Sequence, residues 1–270
     1  MAQLVELVIY QHTKILAMAL KPDASGTLRL IGDNTSEGIQ LFSGDATNFP
    51  LGAWALDGDD TVIGSGASEL ILGNEGEDFL AGFAGNDSVF GGKGRDFLSG
   101  AEGNDCLSGG LDADFLIGQA GDDILFGGRG NDVLDGLEGN NTLVGGLGRD
   151  VLSCQFGNNL CVLGIDPATT DINSSDAIEL FDPEVDRIGL ASGLTVNDIV
   201  LEPVQNVTLT YRFEGAPALQ QFIPPDLARE FSGSASGTLI RVRNSNAILG
   251  FVDDVTPNEL QSRIVSVQGF

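Results

Sequence analysis

Basic residues are scarce in this 270-residue sequence: 13 Lys and Arg stand against 39 Asp and Glu, leaving a net charge of −26. Phosphate recognition needs clustered Lys and Arg, so the shortage excludes a nucleic-acid binder. Aromatics amount to 7% while glycine occurs 38 times, a balance unlike that of a compact helical enzyme because glycine is costly inside helices. The single histidine, His12, lacks the His-Glu-x-x-His spacing of a zinc protease. No Gly-x-Ser-x-Gly elbow or phosphate-binding loop occurs, and catalysis is not expected. Cys106, Cys154 and Cys161 are an odd number in a long chain, which implies no disulfide framework and reads as small apolar packing. No run reaches the roughly 18 apolar residues of a membrane helix. Leu4 to Tyr10 is interrupted by Glu6 and followed by Gln11, His12 and Lys14, so an ordinary amino-terminal export signal is not expected.

What the sequence has instead is a repeat. Read in nines from Ala55, the sixth position is Asp60, Glu69, Asp78, Asp87, Asp96, Asp105, Asp114, Asp123, Asp132, Asn141, Asp150 and Asn159. The eighth runs Val62, Ile71, Leu80, Val89, Leu98, Leu107, Leu116, Leu125, Leu134, Leu143, Leu152 and Cys161, apolar throughout. The fourth is glycine except at Ala67 and Asp112, and the first is glycine except at Ala55 and Cys154. These glycines mark turns of left-handed or otherwise glycine-favoured backbone. A fixed short period without insertions is the mark of a solenoid. The second position is Gly92, Gly110, Gly128 and Gly146 in alternate repeats, so two repeats make one eighteen-residue turn with two bends and two short strands. The expected fold is all-β, a parallel β-roll whose inward residue is the eighth of each repeat.

Stacking strands at about 4.8 Å aligns residues eighteen apart into two rails along the bends. The first is Asp60, Asp78, Asp96, Asp114, Asp132 and Asp150; the second is Glu69, Asp87, Asp105, Asp123, Asn141 and Asn159. Asp and Asn also favour plain turns, but a turn does not demand an acid at every sixth position. Carboxylates this close repel one another unless a cation lies between them. Hard oxygen ligands select calcium, which takes 6–8 oxygens from carboxylates and backbone carbonyls. Several ions are expected, held by the rails and by the bend glycines Gly76, Gly85, Gly92, Gly94, Gly103, Gly110, Gly121, Gly128, Gly130, Gly139, Gly146 and Gly148. Glu69, Asn141 and Asn159 are the weaker members, so the first rail should bind best.

The best copies, Gly91-Gly92-Lys93-Gly94-Arg95-Asp96-Phe97-Leu98-Ser99 and Gly127-Gly128-Arg129-Gly130-Asn131-Asp132-Val133-Leu134-Asp135, resemble the RTX, or hemolysin-type, nonapeptide. The resemblance implies a calcium-filled parallel β-roll, export by a type I machine, and folding outside the cell. Phe181-Asp182-Pro183-Glu184-Val185-Asp186-Arg187-Ile188-Gly189-Leu190 looks like the β-rich module that follows such arrays in bacterial, notably cyanobacterial, surface proteins. Family members carry an uncleaved carboxyl-terminal secretion signal, with which Ile264 to Phe270 is compatible. The resemblance leaves two readings: a secreted calcium-binding structural or adhesive protein, or an accessory module of a secreted RTX enzyme system acting on polysaccharide or protein.

Three segments follow: 1–54 as an amino-terminal β cap, 55–162 as the roll, and 163–270 as a β-rich carboxyl-terminal module. The flanks carry strand-like runs at Leu4–Tyr10, Thr27–Ile31, Gly38–Phe42 (before the Gly44-Asp45 turn), Arg187–Leu190, Asp198–Leu201, Val207–Phe213, Leu239–Arg243 and Ala247–Val252. A turn is expected at Asn244-Ser245-Asn246 and a short helix over Thr256–Ile264. Phe79, Phe97 and Phe115, continued by Val133 and Val151, form a ladder on one outer face; Leu72, Phe90, Phe126 and Val144 form a weaker one opposite. Such a face is to be covered, either by the chain's own flanks or by a second copy or surface partner.

Overall fold

The computed structural model describes residues 19–22, 28–31, 36, 38–41, 53–164, 174–191, 193–211, 231–243, 245 and 247–268. The Leu4–Tyr10 run, His12, the Gly44-Asp45 turn, Asn244, Asn246 and Phe270 lie outside these residues. Two eleven-stranded sheets stand on either side of one continuous apolar interior that runs from Ile39 to Ile264.

From Ala53–Asp57 to Arg187–Leu190 consecutive strands alternate between the sheets, and each pairs in parallel with the strand one turn before and after. In one sheet Leu107 lies opposite Val89 and Leu125; in the other Leu116 lies opposite Leu98 and Leu134. Both registers step by eighteen residues, so the expected parallel β-roll is the fold. From Leu70–Glu75 to Thr142–Leu147 the strands are six residues long, because pairing continues through the first positions of the next repeat, as in Gln119 opposite Ala101. The eighth position is fully buried from Val62 to Cys161. Each such side chain contributes about 1.5–3 kcal/mol, and their stacking builds the main apolar interior of the roll.

The glycines of the first position have a different role from the one expected of them. Gly100, Gly109, Gly118 and Gly127 are not left-handed; a Cβ there would run into the carboxylate of the same repeat's Asp105, Asp114, Asp123 or Asp132. They keep room for an inward-folded acid. The left-handed backbone falls at the fourth position and on the second, where even Phe83, Ala101, Gln119 and Leu137 take φ between 56° and 83°.

Both sheets cross residue 163. Asp176–Glu179 pairs in parallel with Val151–Ser153, and Arg187–Leu190 with Leu160–Leu163. Ile248–Asp253 and Ile264–Ser266 then add a further parallel strand to each sheet. The antiparallel pair Ile199–Tyr211 and Phe231–Val242 ends the second sheet. The runs expected separately at 198–201 and 207–213 share one strand, Ile199–Tyr211, with a register shift between Val204 and Val207, and residues 212 and 213 lie outside the described residues. The expected helix is a single turn, Pro257–Leu260, capped reciprocally by Thr256 and Glu259. At the other end Leu28–Ile31 and Gly38–Gln40 pair in parallel with Ala53–Asp57 and Thr61–Ile63, and Ala19–Pro22 pairs antiparallel with Leu28–Ile31.

One reading of the sequence is corrected. Cys154 and Cys161 form a disulfide: Cys154 directly follows the strand Val151–Ser153 of one sheet, Cys161 lies on Leu160–Leu163 of the other, both are buried in the same interior, and their Cα atoms are 6.9 Å apart. An odd count misleads because Cys106 alone stays free. The Phe ladder is covered within the single chain. Phe79, Phe97 and Phe115 stack with centroids 5.1 and 5.4 Å apart, and Phe97 and Phe115 are only 5% and 0% exposed within the single chain. They form a second apolar cluster with Ile117, Val133 and Leu137. On the opposite sheet Phe90 is 38% and Ile124 42% exposed, and on the ladder's own sheet Phe83 is 61% exposed.

Candidate metal centre

Each bend ends on a rail residue, and the two rails are regular in the structure. The Oδ1 atom of each Asp accepts from the backbone N–H of the rail residue one turn earlier. On the first rail, Asp78 accepts from Asp60 at 2.8 Å, Asp96 from Asp78, Asp114 from Asp96, Asp132 from Asp114, and Asp150 from Asp132, each of the last four at 2.9 Å. On the second, Asp87 accepts from Glu69 and Asp105 from Asp87 at 2.7 Å, and Asp123 from Asp105 at 2.8 Å. Asn141 and Asn159 continue this ladder through their Oδ1 atoms, at 2.9 and 3.0 Å. All twelve rail residues are at most 7% exposed.

The other oxygen is different. The Oδ2 atoms of Asp78, Asp87, Asp96, Asp105, Asp114, Asp123 and Asp132 are buried with no hydrogen-bond partner. A buried carboxylate oxygen left without a donor is costly, and seven of them in register require either protons or a cation. Burial dominates their titration, with neighbouring carboxylates adding to it. Asp78 is raised from 3.8 to about 6, Asp87 to about 7, Asp96 to about 8 and Asp114 to about 10. Asp123 rises to about 6 and Asp132 to about 8, and Asp105 is raised as well. The largest shift falls mid-rail at Asp114, where Asp96 and Asp132 act from both sides.

All twelve bend glycines singled out from the sequence, Gly76 to Gly148, have positive φ. Among the described residues no three acidic, His or Cys side chains converge on one point. An ion here would therefore take part of its shell from bend carbonyls and the rest from carboxylates of adjacent turns. Such an oxygen-only shell of mixed origin suits a large, geometrically tolerant cation such as calcium, and the orphaned Oδ2 atoms fit that charge.

The weaker rail members are placed differently. Glu69 accepts from its own bend, from the Ser65 backbone N–H at 3.1 Å and from the Ser65 hydroxyl. Asn159 turns its amide Nδ2 toward the Gln155 and Phe156 carbonyls. Asn141 follows the Asp pattern, with its Nδ2 against Gly136 and without a partner.

Two rail members escape a reading in strict nines. Asp176 accepts from Asp150 N–H at 3.1 Å and Asp186 from Asn159 N–H at 2.7 Å, at separations of 26 and 27 residues where 18 is the rule. Their signal is the Asp-x-Ile of Asp176-Ala177-Ile178 and Asp186-Arg187-Ile188. Asp186 is closed by its own bend, where its Oδ2 accepts from the Asp182 N–H at 2.8 Å.

Comparison with known sequence families matches residues 53–80, 81–116 and 117–152 to the RTX calcium-binding nonapeptide repeat in its four-copy form. No curated protein matches the chain.

Proposed function

Because residues 53–152 match the RTX calcium-binding nonapeptide repeat, we propose that this is a secreted structural or adhesive protein whose roll closes on calcium outside the cell. The observation that carries the reading is the seven buried, unpartnered Oδ2 atoms, four on one rail and three on the other, each rail at eighteen-residue spacing. Asp78, Asp96, Asp114 and Asp132 on one rail and Asp87, Asp105 and Asp123 on the other are the ligand carboxylates, completed by carbonyls of the intervening bends. Calcium supplies the positive charge that lets these acids stay ionised in the interior. The chain's own part is to hold each carboxylate in place through its Oδ1 bond to the preceding turn and to leave Oδ2 free for the ion.

Before the ion is bound, carboxylate repulsion and the conformational entropy of so many glycines oppose the roll, so ligand binding is coupled to folding. Low calcium inside the cell keeps the chain extended for export by a type I machine, and higher calcium outside lets it fold. The oxygen ligands are engaged in structure and not in chemistry, and the protein is read as non-catalytic. Among the described residues no helix is long and apolar enough to cross a membrane.

Circular dichroism tests the coupling. Near neutral pH the β signal should appear with calcium, vanish with a chelator and return only weakly with magnesium. A signal indifferent to chelation would overturn this reading.

A further inference from the structure

The bend from Cys154 to Cys161 departs from the rest of the second rail in three connected ways. Its first position is Cys154 where the other bends on this rail have glycine, so the inward space that the acids of those bends occupy already contains a side chain. Its sixth position is Asn159, whose Nδ2 donates to the Gln155 carbonyl, with the Phe156 carbonyl at 3.4 Å. Its first and eighth positions are joined by the Cys154–Cys161 disulfide, which encloses the whole bend.

In the Asp bends the second carboxylate oxygen is buried without a hydrogen-bond partner, and such an oxygen needs a positive charge or a proton beside it. Asn159 puts amide hydrogens there, which satisfy carbonyls with no charge at all. The outer side of the same bend is bonded in the same metal-free way. Asn158 N–H and Nδ2 donate to Asn140 Oδ1 at 3.1 and 2.9 Å, and Asn140 donates likewise to Asp122 at 2.8 and 2.9 Å.

Taking as given that the Asp rails hold calcium, we propose that the Cys154–Cys161 bend closes the second rail without an ion, the Asn159 amide and the disulfide doing what calcium does in the Asp bends. Asn159 is then a lock and not a ligand. The ions of the second rail are confined to the stretch from Asp87 to Asp123, and the carboxyl-terminal end of the roll does not depend on calcium supply.

Equilibrium dialysis of the full chain at saturating calcium, combined with amide hydrogen exchange, separates lock from ligand. Asn159→Ala should bind the same number of ions as wild type with a midpoint within about twofold, while amides 156–160 exchange on the order of tenfold faster. Asp105→Asn, the control ligand, should bind fewer ions. An ion lost in Asn159→Ala, or exchange unchanged from wild type, overturns the proposal. Asn159→Ser repeats the count should the alanine variant show no β signal with calcium. Wild type binding no calcium sinks the reading of the rails themselves, a result distinct from loss confined to the Asn159 variant.

Discussion

In calcium-free buffer the protein should gain β-structure as the pH falls from about 8 to about 5, the reverse of ordinary acid denaturation. The rail acids are raised in the folded, metal-free roll: Asp78 and Asp123 to about 6, Asp87 to about 7, Asp96 and Asp132 to about 8, and Asp114 to about 10. An unfolded Asp titrates near 3.9, so over this range the folded form binds more protons than the unfolded one, and stability must fall as the pH rises. The contribution is complete below about pH 4 and is lost step by step through the interval from about 6 to about 10. For Asp78 alone, the move from 3.8 to about 6 corresponds to about 3 kcal/mol. Neighbouring sites share charge, so their contributions do not simply add. With calcium the sign reverses, since the ion requires ionised carboxylates and competes with protons. The calcium midpoint should therefore shift to lower concentration as pH rises, while the metal-free β signal moves the other way. Circular dichroism over a pH series with and without calcium reads both. A metal-free signal at about pH 8 that equals or exceeds that at about pH 5 would contradict the buried, unpartnered rails.

The parts of this architecture that were legible in the sequence are those the period enforces. Parallel stacking repeats one local geometry every eighteen residues, so the inward leucines from Leu80 to Leu152 and the rail acids from Asp60 to Asp150 had to recur in step. The period fails where a loop lengthens. Asp176 and Asp186 occupy rail positions, but eight and nine extra residues precede them, by the difference between separations of 26 and 27 and the regular 18. The register is restored by hydrogen bonding and not by counting.

Chemistry that depends on what lies across the interior was equally hidden. The Cys154–Cys161 bond joins positions one and eight of a single repeat, a pairing that becomes visible only once the two sheets face each other. Glu69 and Asn159 read as degraded ligands by type, yet each is satisfied within its own bend, by Ser65 and by the Gln155 carbonyl. The first-position glycines looked like turn residues because glycine has two uses. At Gly109 and Gly118 the second applies, space for the carboxylates of Asp114 and Asp123.

Phe115→Ala should be among the most damaging apolar substitutions in the roll, while Phe90→Ala should be nearly silent. In the repeat the two residues look alike, since each is an aromatic next to an inward aliphatic residue, Leu116 or Val89, and each points away from the roll's axis. The structure separates them. Phe115 is fully buried, is stacked on Phe97 with rings inclined by 7°, and packs with Ile117 and Val133 in a cluster outside the main interior. Phe90, on the other sheet, keeps 38% of its surface in water. Removing a buried Phe costs about 3–5 kcal/mol through lost transfer energy and the cavity left behind. Stacked aromatic partners forfeit about 0.5–1.5 kcal/mol more. For a chain of this size that predicts a fall in the calcium-saturated melting temperature of roughly 7–26 °C. The exposed Phe90 should cost less than about 1 kcal/mol, a shift of a few degrees at most. Because Phe115 follows the rail residue Asp114 directly, loosening it should also raise the calcium concentration needed for folding. Thermal melts of the two variants at saturating calcium, with calcium titrations beside them, decide the matter. If Phe115→Ala melts within a degree or two of wild type, the ladder is an open surface and not a second core. Equal losses in both variants would mean that the two faces of the roll are covered alike.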